Sequence, residues 1–152
     1  MAIIRLQHIG IAVRDLDAAC RKLSDLFGLE ARDFRDNQGK GMQRDARILL
    51  GNQCWLHLVQ NWDTESRVYK FLEEHGEGLE HIALESDDIT ADVERVKAAG
   101  VAVFQKRIFD ATDGFEAFIY PEDTAGFTVE LIQPHADSWG YPDDGDTGSG
   151  AG

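Results

Sequence analysis

The chain has 152 residues, of which 43% are apolar and 28% charged, and it carries a formal net charge of −13. That length suits one domain, or two small halves sharing a core. The charge speaks against a nucleic-acid backbone or an anionic membrane as partner, and no apolar run approaches the ~20 residues of a membrane span.

The first strand is predicted over Leu6–Val13. Asp15 is placed to cap a helix whose apolar stripe runs through Leu16, Ala19, Cys20, Leu23 and Phe27, with Gly28 as its stop. A second strand is expected over Leu29–Phe34, a third over Asp45–Leu50 and a fourth over Cys54–Gln60. A linker with a short helix, Ser66–Glu74, follows. The pattern then restarts with a fifth strand at Leu79–Glu85 and a helix over Asp88–Ala99. Strands six to eight are expected at Val101–Ile108, Phe115–Tyr120 and Phe127–Gln133. The divisions are 1–60 for the first half, 61–77 for the linker, 78–135 for the second half and 136–152 for a flexible acidic, Gly-rich tail. No secretory signal is evident at the N-terminus. Cys20 and Cys54 do not make a disulfide framework, so free thiols in a cytoplasmic setting are expected.

The restart is a repeat with an offset of 73 residues. His8 opens His8-Ile9-Gly10-Ile11-Ala12-Val13, and His81 opens His81-Ile82-Ala83-Leu84. Asp15-Leu16 matches Asp88-Ile89, and His57 matches Glu130. Each half is thus strand-helix-strand-strand-strand, an α+β pattern of two paired βαβββ modules forming a cupped mixed sheet around a cleft.

Side chains alternate across a strand, so each ligand can be assigned a face. His8, His57, His81 and Glu130 all fall on the face turned away from the helices, with small Gly10 and Ala12 beside them. Three imidazoles and a carboxylate suit a divalent Zn, Ni, Co, Mn or Fe ion with open positions for substrate oxygens. His75 and His135 lack this support and read as surface residues. Asp45 and Arg47 on the third strand share the cleft face. Their repeat partners are Phe118 and Tyr120, and Trp55 lies beside His57. These five are the candidate substrate-binding residues. Arg47 is suited to an anionic group or to an ion pair with Asp45, and it cannot serve as a base near neutral pH.

The segments around His8–Leu16, Gly78–Leu84 and Gly126–Ile132 resemble the vicinal oxygen chelate superfamily, which includes glyoxalase I, methylmalonyl-CoA epimerase, extradiol dioxygenases and bleomycin- and fosfomycin-resistance proteins. Ser66–Ala83 and Pro121-Glu122-Asp123 are most similar to the epimerases. The resemblance covers about residues 5–134. It implies metal positions at His8, His57, His81 and Glu130, although the second is usually Gln or Glu in epimerases. It also implies a homodimer and a small carbonyl or acyl-thioester substrate, such as a CoA thioester. The chemistry implied is isomerisation or epimerisation through a metal-stabilised enolate, with Glu130 as the base; Glu85, on the same face as His81, is a second candidate by strand parity. Glyoxalase-type lyase chemistry, an iron(II) dioxygenase using His8, His81 and Glu130, and a non-catalytic sequestering protein are the alternatives.

Overall fold

A computed structural model describes residues 3–37, 42–51, 54–136, 138 and 139. Eight strands and three helices alternate as two copies of one plan. The first copy is β1 (Ile3–Ala12), α1 (Leu16–Phe27), β2 (Arg32–Asn37), β3 (Gln43–Leu50) and β4 (Cys54–Asn61). The linker helix α2 (Arg67–His75) leads to β5 (Gly78–Ser86), α3 (Ile89–Ala98), β6 (Phe109–Ala111), β7 (Gly114–Ile119) and β8 (Thr128–Pro134). No helix among these residues is long and apolar enough to cross a membrane.

The strands form one mixed sheet in the order β2-β3-β4-β1-β5-β8-β7-β6. β1 runs parallel to β4 and β5 runs parallel to β8, while β1 and β5 join the halves antiparallel. The repeat-equivalent strands are therefore the two at the centre, and their inward side chains meet across the join.

Helix starts follow the capping chemistry. Asp15 accepts from the Ala18 amide at 2.9 Å, and Asp88 accepts from the Ala91 amide at 3.0 Å. Each cap satisfies a first-turn donor that would otherwise lack a partner. Gly28 ends α1 at φ 66°, a conformation that burdens any residue with a Cβ. The helices cover one face of the sheet. Leu16 and Cys20 of α1 pack on Ala46, Ile48 and Leu58, and Ile89 and Val93 of α3 pack on Ala117 and Leu131. Fully burying a side chain such as Leu58 contributes about 1.5–3 kcal/mol. Helix α2 instead lies on the opposite face, where Val68 and Leu72 meet Ala12 and Val59 and close one end of the cleft.

Two strands differ from expectation. Strand six begins only at Phe109, because Gln105 and Lys106 take φ of 50° and 56° and turn the chain through a short 3₁₀ segment, Phe104–Lys106. Strand two starts at Arg32. Leu29 and Ala31 pack against the first core before it. Two residues of the expected tail also differ. Ser138 and Trp139, assigned by composition to the flexible tail, are docked, and Trp139 is 4% exposed. The rest of that segment beyond 139 lies outside the described residues.

Candidate metal centre and cleft

His8 on β1, His81 on β5 and Glu130 on β8 converge in the cleft and are all buried. The two Nε2 atoms stand 2.9 Å apart, and Glu130 Oε2 lies 2.9 Å from His81 Nε2 and 3.3 Å from His8 Nε2. The second oxygen, Oε1, is buried with no hydrogen-bond partner among the described residues. A buried carboxylate oxygen without a donor is costly unless something cationic completes it. The donor set of two imidazoles and a carboxylate, with that orphaned oxygen, fits a divalent ion.

The backbone aims these rings through two irregularities. The register of β1 against β5 slips at Gln7 and again at Glu80, so each strand carries an extra residue just before its histidine. Such bulges re-aim side chains beside functional sites. Here they bring Gln7 Oε1 onto His8 Nδ1 and Glu80 Oε2 onto His81 Nδ1. Each Nδ1–H is donated to its neighbour, which leaves Nε2 free to face the cluster. Glu80 is anchored in turn by Arg67 at 3.1 Å. Gln7 and Glu80 stand at the same 73-residue offset as the histidines. Glycine is required at position 10, since a Cβ there would run into the His81 ring.

Charge follows this geometry. Burial holds His8 down to about 4, against the pull of Glu130. Burial would also depress His81, yet the carboxylates of Glu130 and Glu80 prevail and carry it to about 9. Burial opposes ionisation of Glu130, but the two histidines outweigh it and hold the carboxyl far below its usual range.

His57, the fourth member of the expected set, stands apart from the other three. It lies on the cleft face of β4, but its Nε2 is 2.8 Å from Asp45 Oδ2, and it is not among the three residues whose ligand atoms converge. Asp45 is buried and also receives Arg35 at 2.6 Å, so its carboxylate stays ionised against the pull of burial and acts as a strong acceptor. His57 is turned to that carboxylate, while its ring stays 5.3 Å from that of His8.

A cavity of about 550 Å³ opens onto the cluster, within the range of small-molecule sites. Of the expected substrate residues, Asp45 and Phe118 line it. Arg47, Trp55 and Tyr120 do not. Arg47 is committed to Asp113 at 2.6 Å and to the Ser138 carbonyl at 2.9 Å, so it holds protein groups rather than an exposed anion site. Trp55 packs beneath Trp139 with Ala83 and Ile132. Tyr120 lies edge-on to Phe104, outside the lining. Glu85 also lies outside it, 3.3 Å from Arg5.

Several lining residues carry no signal in the repeat, and three matter most to the cleft. Glu116 on β7 faces the cavity, and burial together with the charges of Glu130 and Asp113 pushes its carboxyl up to about 8. Parity with Phe118 is the signal that marks it. Arg67 lines the cavity from α2 with its guanidinium 4.0 Å over the Phe118 ring. Trp139 lies beyond the repeat, and no periodicity points to it.

Comparison with known proteins gives a consistent picture. Residues 7–120 match the family model described as the Glyoxalase/Bleomycin resistance protein/Dioxygenase superfamily. The ethylmalonyl-CoA/methylmalonyl-CoA epimerase of Cereibacter sphaeroides is 33% identical over 133 residues, covering 85% of this chain and 97% of that protein. A lactoylglutathione lyase of Neisseria meningitidis is 27% identical over 139 residues, covering 86% of this chain and 91% of its own. Among solved structures, a variant of the Streptomyces coelicolor methylmalonyl-CoA epimerase in complex with 2-nitronate-propionyl-CoA superposes with a TM-score of 0.79 at 30% identity. That match covers 88% of this chain and 96% of the other.

Proposed function

The chain belongs to the glyoxalase/bleomycin resistance protein/dioxygenase superfamily and has the vicinal oxygen chelate fold, and from that premise we propose that it is a metal-dependent epimerase of a short 2-alkylmalonyl thioester. The observation that carries the reading is the meeting of His8, His81 and Glu130 at the floor of a substrate-sized cavity, each imidazole presenting Nε2. The similarity to two acyl-CoA epimerases supports the thioester. A divalent ion held by these three side chains would draw electron density from the substrate's acyl oxygens and make the α-proton acidic.

The remaining work belongs to the chain's own groups. Glu130 is our candidate base: with an ion held by one of its carboxylate oxygens, the other would take the α-proton. Epimerisation also needs a proton returned to the opposite face. β4 and β8 flank the central pair β1–β5 on opposite sides, so His57, with Asp45 behind it, lies across the cleft from Glu130. Glu116, neutral below about 8, presents a carboxyl O–H to a substrate oxygen. Deuterium uptake at the α-carbon of 2-methylmalonyl-CoA in D₂O tests the reading. Wild type exchanges and inverts, E130Q does neither, and H57A exchanges at one face while inversion slows. Metal-loaded wild type that exchanges no 2-alkylmalonyl thioester ends the proposal.

One observation favours a second reading. With His57 held by Asp45, the converging set is two histidines and one carboxylate, the donor set of non-haem iron(II) oxygenases. Iron content and oxygen uptake with a catechol separate the two.

A further inference from the structure

Beyond β8, His135, Ser138 and Trp139 stay against the sheet. His135 N and Ser138 Oγ both donate to the Asp113 carbonyl, at 3.0 and 2.6 Å, and turn the chain back over the sheet. This turn delivers Trp139 into the cleft. Its indole stacks on the His8 ring with 4.8 Å between centroids and 12° between planes. The Arg47 guanidinium covers the indole at 3.7 Å. Arg47 is held there by the Ser138 carbonyl and by the Asp113 carboxylate, which also binds Arg35 at 2.6 Å. The segment thus delivers a large, rigid surface against a residue of the metal cluster, 4% exposed and facing the cavity. Among the described residues no ring stacks face-on against His81, which meets the His8 ring edge-on at 5.1 Å and the Phe118 ring edge-on at 6.2 Å.

We propose that Trp139 is a specificity-determining residue, the wall that limits the α-substituent accepted at the metal centre, and that Arg47 is the positioning residue that holds it. The inference rests on the epimerase reading for its substrate class and on the cavity geometry for its content. Trp139 and Phe118 both line the cavity that opens onto the cluster, and in the proposed site the acyl group lies against these two rings. A planar indole gripped by a cation and an imidazole has no freedom to yield to a longer chain. The site therefore favours a methyl or ethyl substituent and rejects longer ones. This assignment also accounts for an arginine on the cleft face of β3, where it touches no open anion site: its work is to pin Ser138 and Trp139.

The test compares wild type, W139A, W139F and R47Q, each checked for native melting and metal content. Two series are measured. The first is kcat/KM for 2-methyl-, 2-ethyl- and 2-propylmalonyl thioesters. The second needs no turnover: calorimetric binding of two-, four- and six-carbon alkyl hydroxamates to the Ni²⁺-loaded proteins. W139A is expected to shift preference toward the longest member by about tenfold or more in both series, the discrimination typical of a methylene in an apolar pocket. R47Q shifts it the same way by a smaller factor, and W139F, which keeps a ring in place, retains the wild-type order. A W139A profile that superposes on wild type in the hydroxamate series, or hydroxamates that bind neither protein, overturns the proposal. If wild type turns over no thioester while the hydroxamate preference still shifts in W139A, the epimerase reading falls and the wall stands.

Discussion

The two halves share a plan, and the comparison between them turns on one pair of positions. Asp45 on β3 and Phe118 on β7 are repeat partners, and each faces the cleft beside a candidate ligand of its own half. In the second half the neighbour is aromatic and offers nothing to hydrogen-bond, so Glu130 stays free to meet the histidines. In the first half the neighbour is an ionised carboxylate, and it engages the His57 ring. A duplicated fold therefore sets where a side chain starts, and the strand next to it decides what that side chain does.

Removing members of the cluster tests this asymmetry most severely. E130Q and H81A should abolish stoichiometric metal binding by elemental analysis and lower epimerase turnover by about 10²–10⁴-fold, whereas H57A should keep its metal. Equal metal loss in H57A and H81A would return His57 to the ligand set. Asp45→Leu comes next. It makes the first half resemble the second and strips a buried partner from Arg35, so it should lower stability by about 3 kcal/mol in denaturant melts. It also frees His57 to join the ion, which a Co²⁺-loaded sample registers in its visible absorption.

Glu80→Gln and Gln7→Leu address the partners behind the imidazoles. Each should weaken metal affinity by about 10–100-fold in competition titrations, with Glu80→Gln the larger because it also strands Arg67. The pH dependence has a defined sign. His81, raised to about 9 in the metal-free protein, must give up a proton to bind an ion, so affinity should climb about tenfold per pH unit toward 9 and then level off. The same shift contributes to metal-free stability below 6.5, and that contribution is lost as pH rises through about 9. His8 works in reverse. Held near 4, it contributes above 6.5 and loses that contribution as pH falls through about 4. The smallest effect is the most symmetric: Asp15→Ala and Asp88→Ala should each destabilise by about 1 kcal/mol, because the caps are alike. A large difference between them would locate a further asymmetry in the helices.

Much of this architecture was legible from residue order. The 73-residue offset and strand parity placed His8, His81, His57 and Glu130 on one face, and the capping residues marked the starts of α1 and α3. What stayed hidden depends on contacts between strands. Parity says His57 faces the cleft but not that Asp45 competes for it. The roles of Gln7 and Glu80 come from bulges, which break the alternation that any pattern reading assumes. The positive φ at Gln105 and Lys106 displaced strand six for the same reason: a local backbone choice overrode an apolar run. Trp139 was obscured by its neighbours, a Gly- and Asp-rich stretch whose composition suggested nothing to bury.

The seating of the two imidazoles has a consequence for how such a chain can be cut. His81 of the second half rests opposite Gly10 of the first, and His8 of the first rests opposite Ala83 of the second. Each ring borrows its floor from the other half, and neither half holds more than part of the donor set. On the proposed metal site, two separately expressed fragments should bind Ni²⁺ or Zn²⁺ tightly only once they have found each other. From then on the ion would act as a rivet, making reassembly of a severed chain depend on metal concentration.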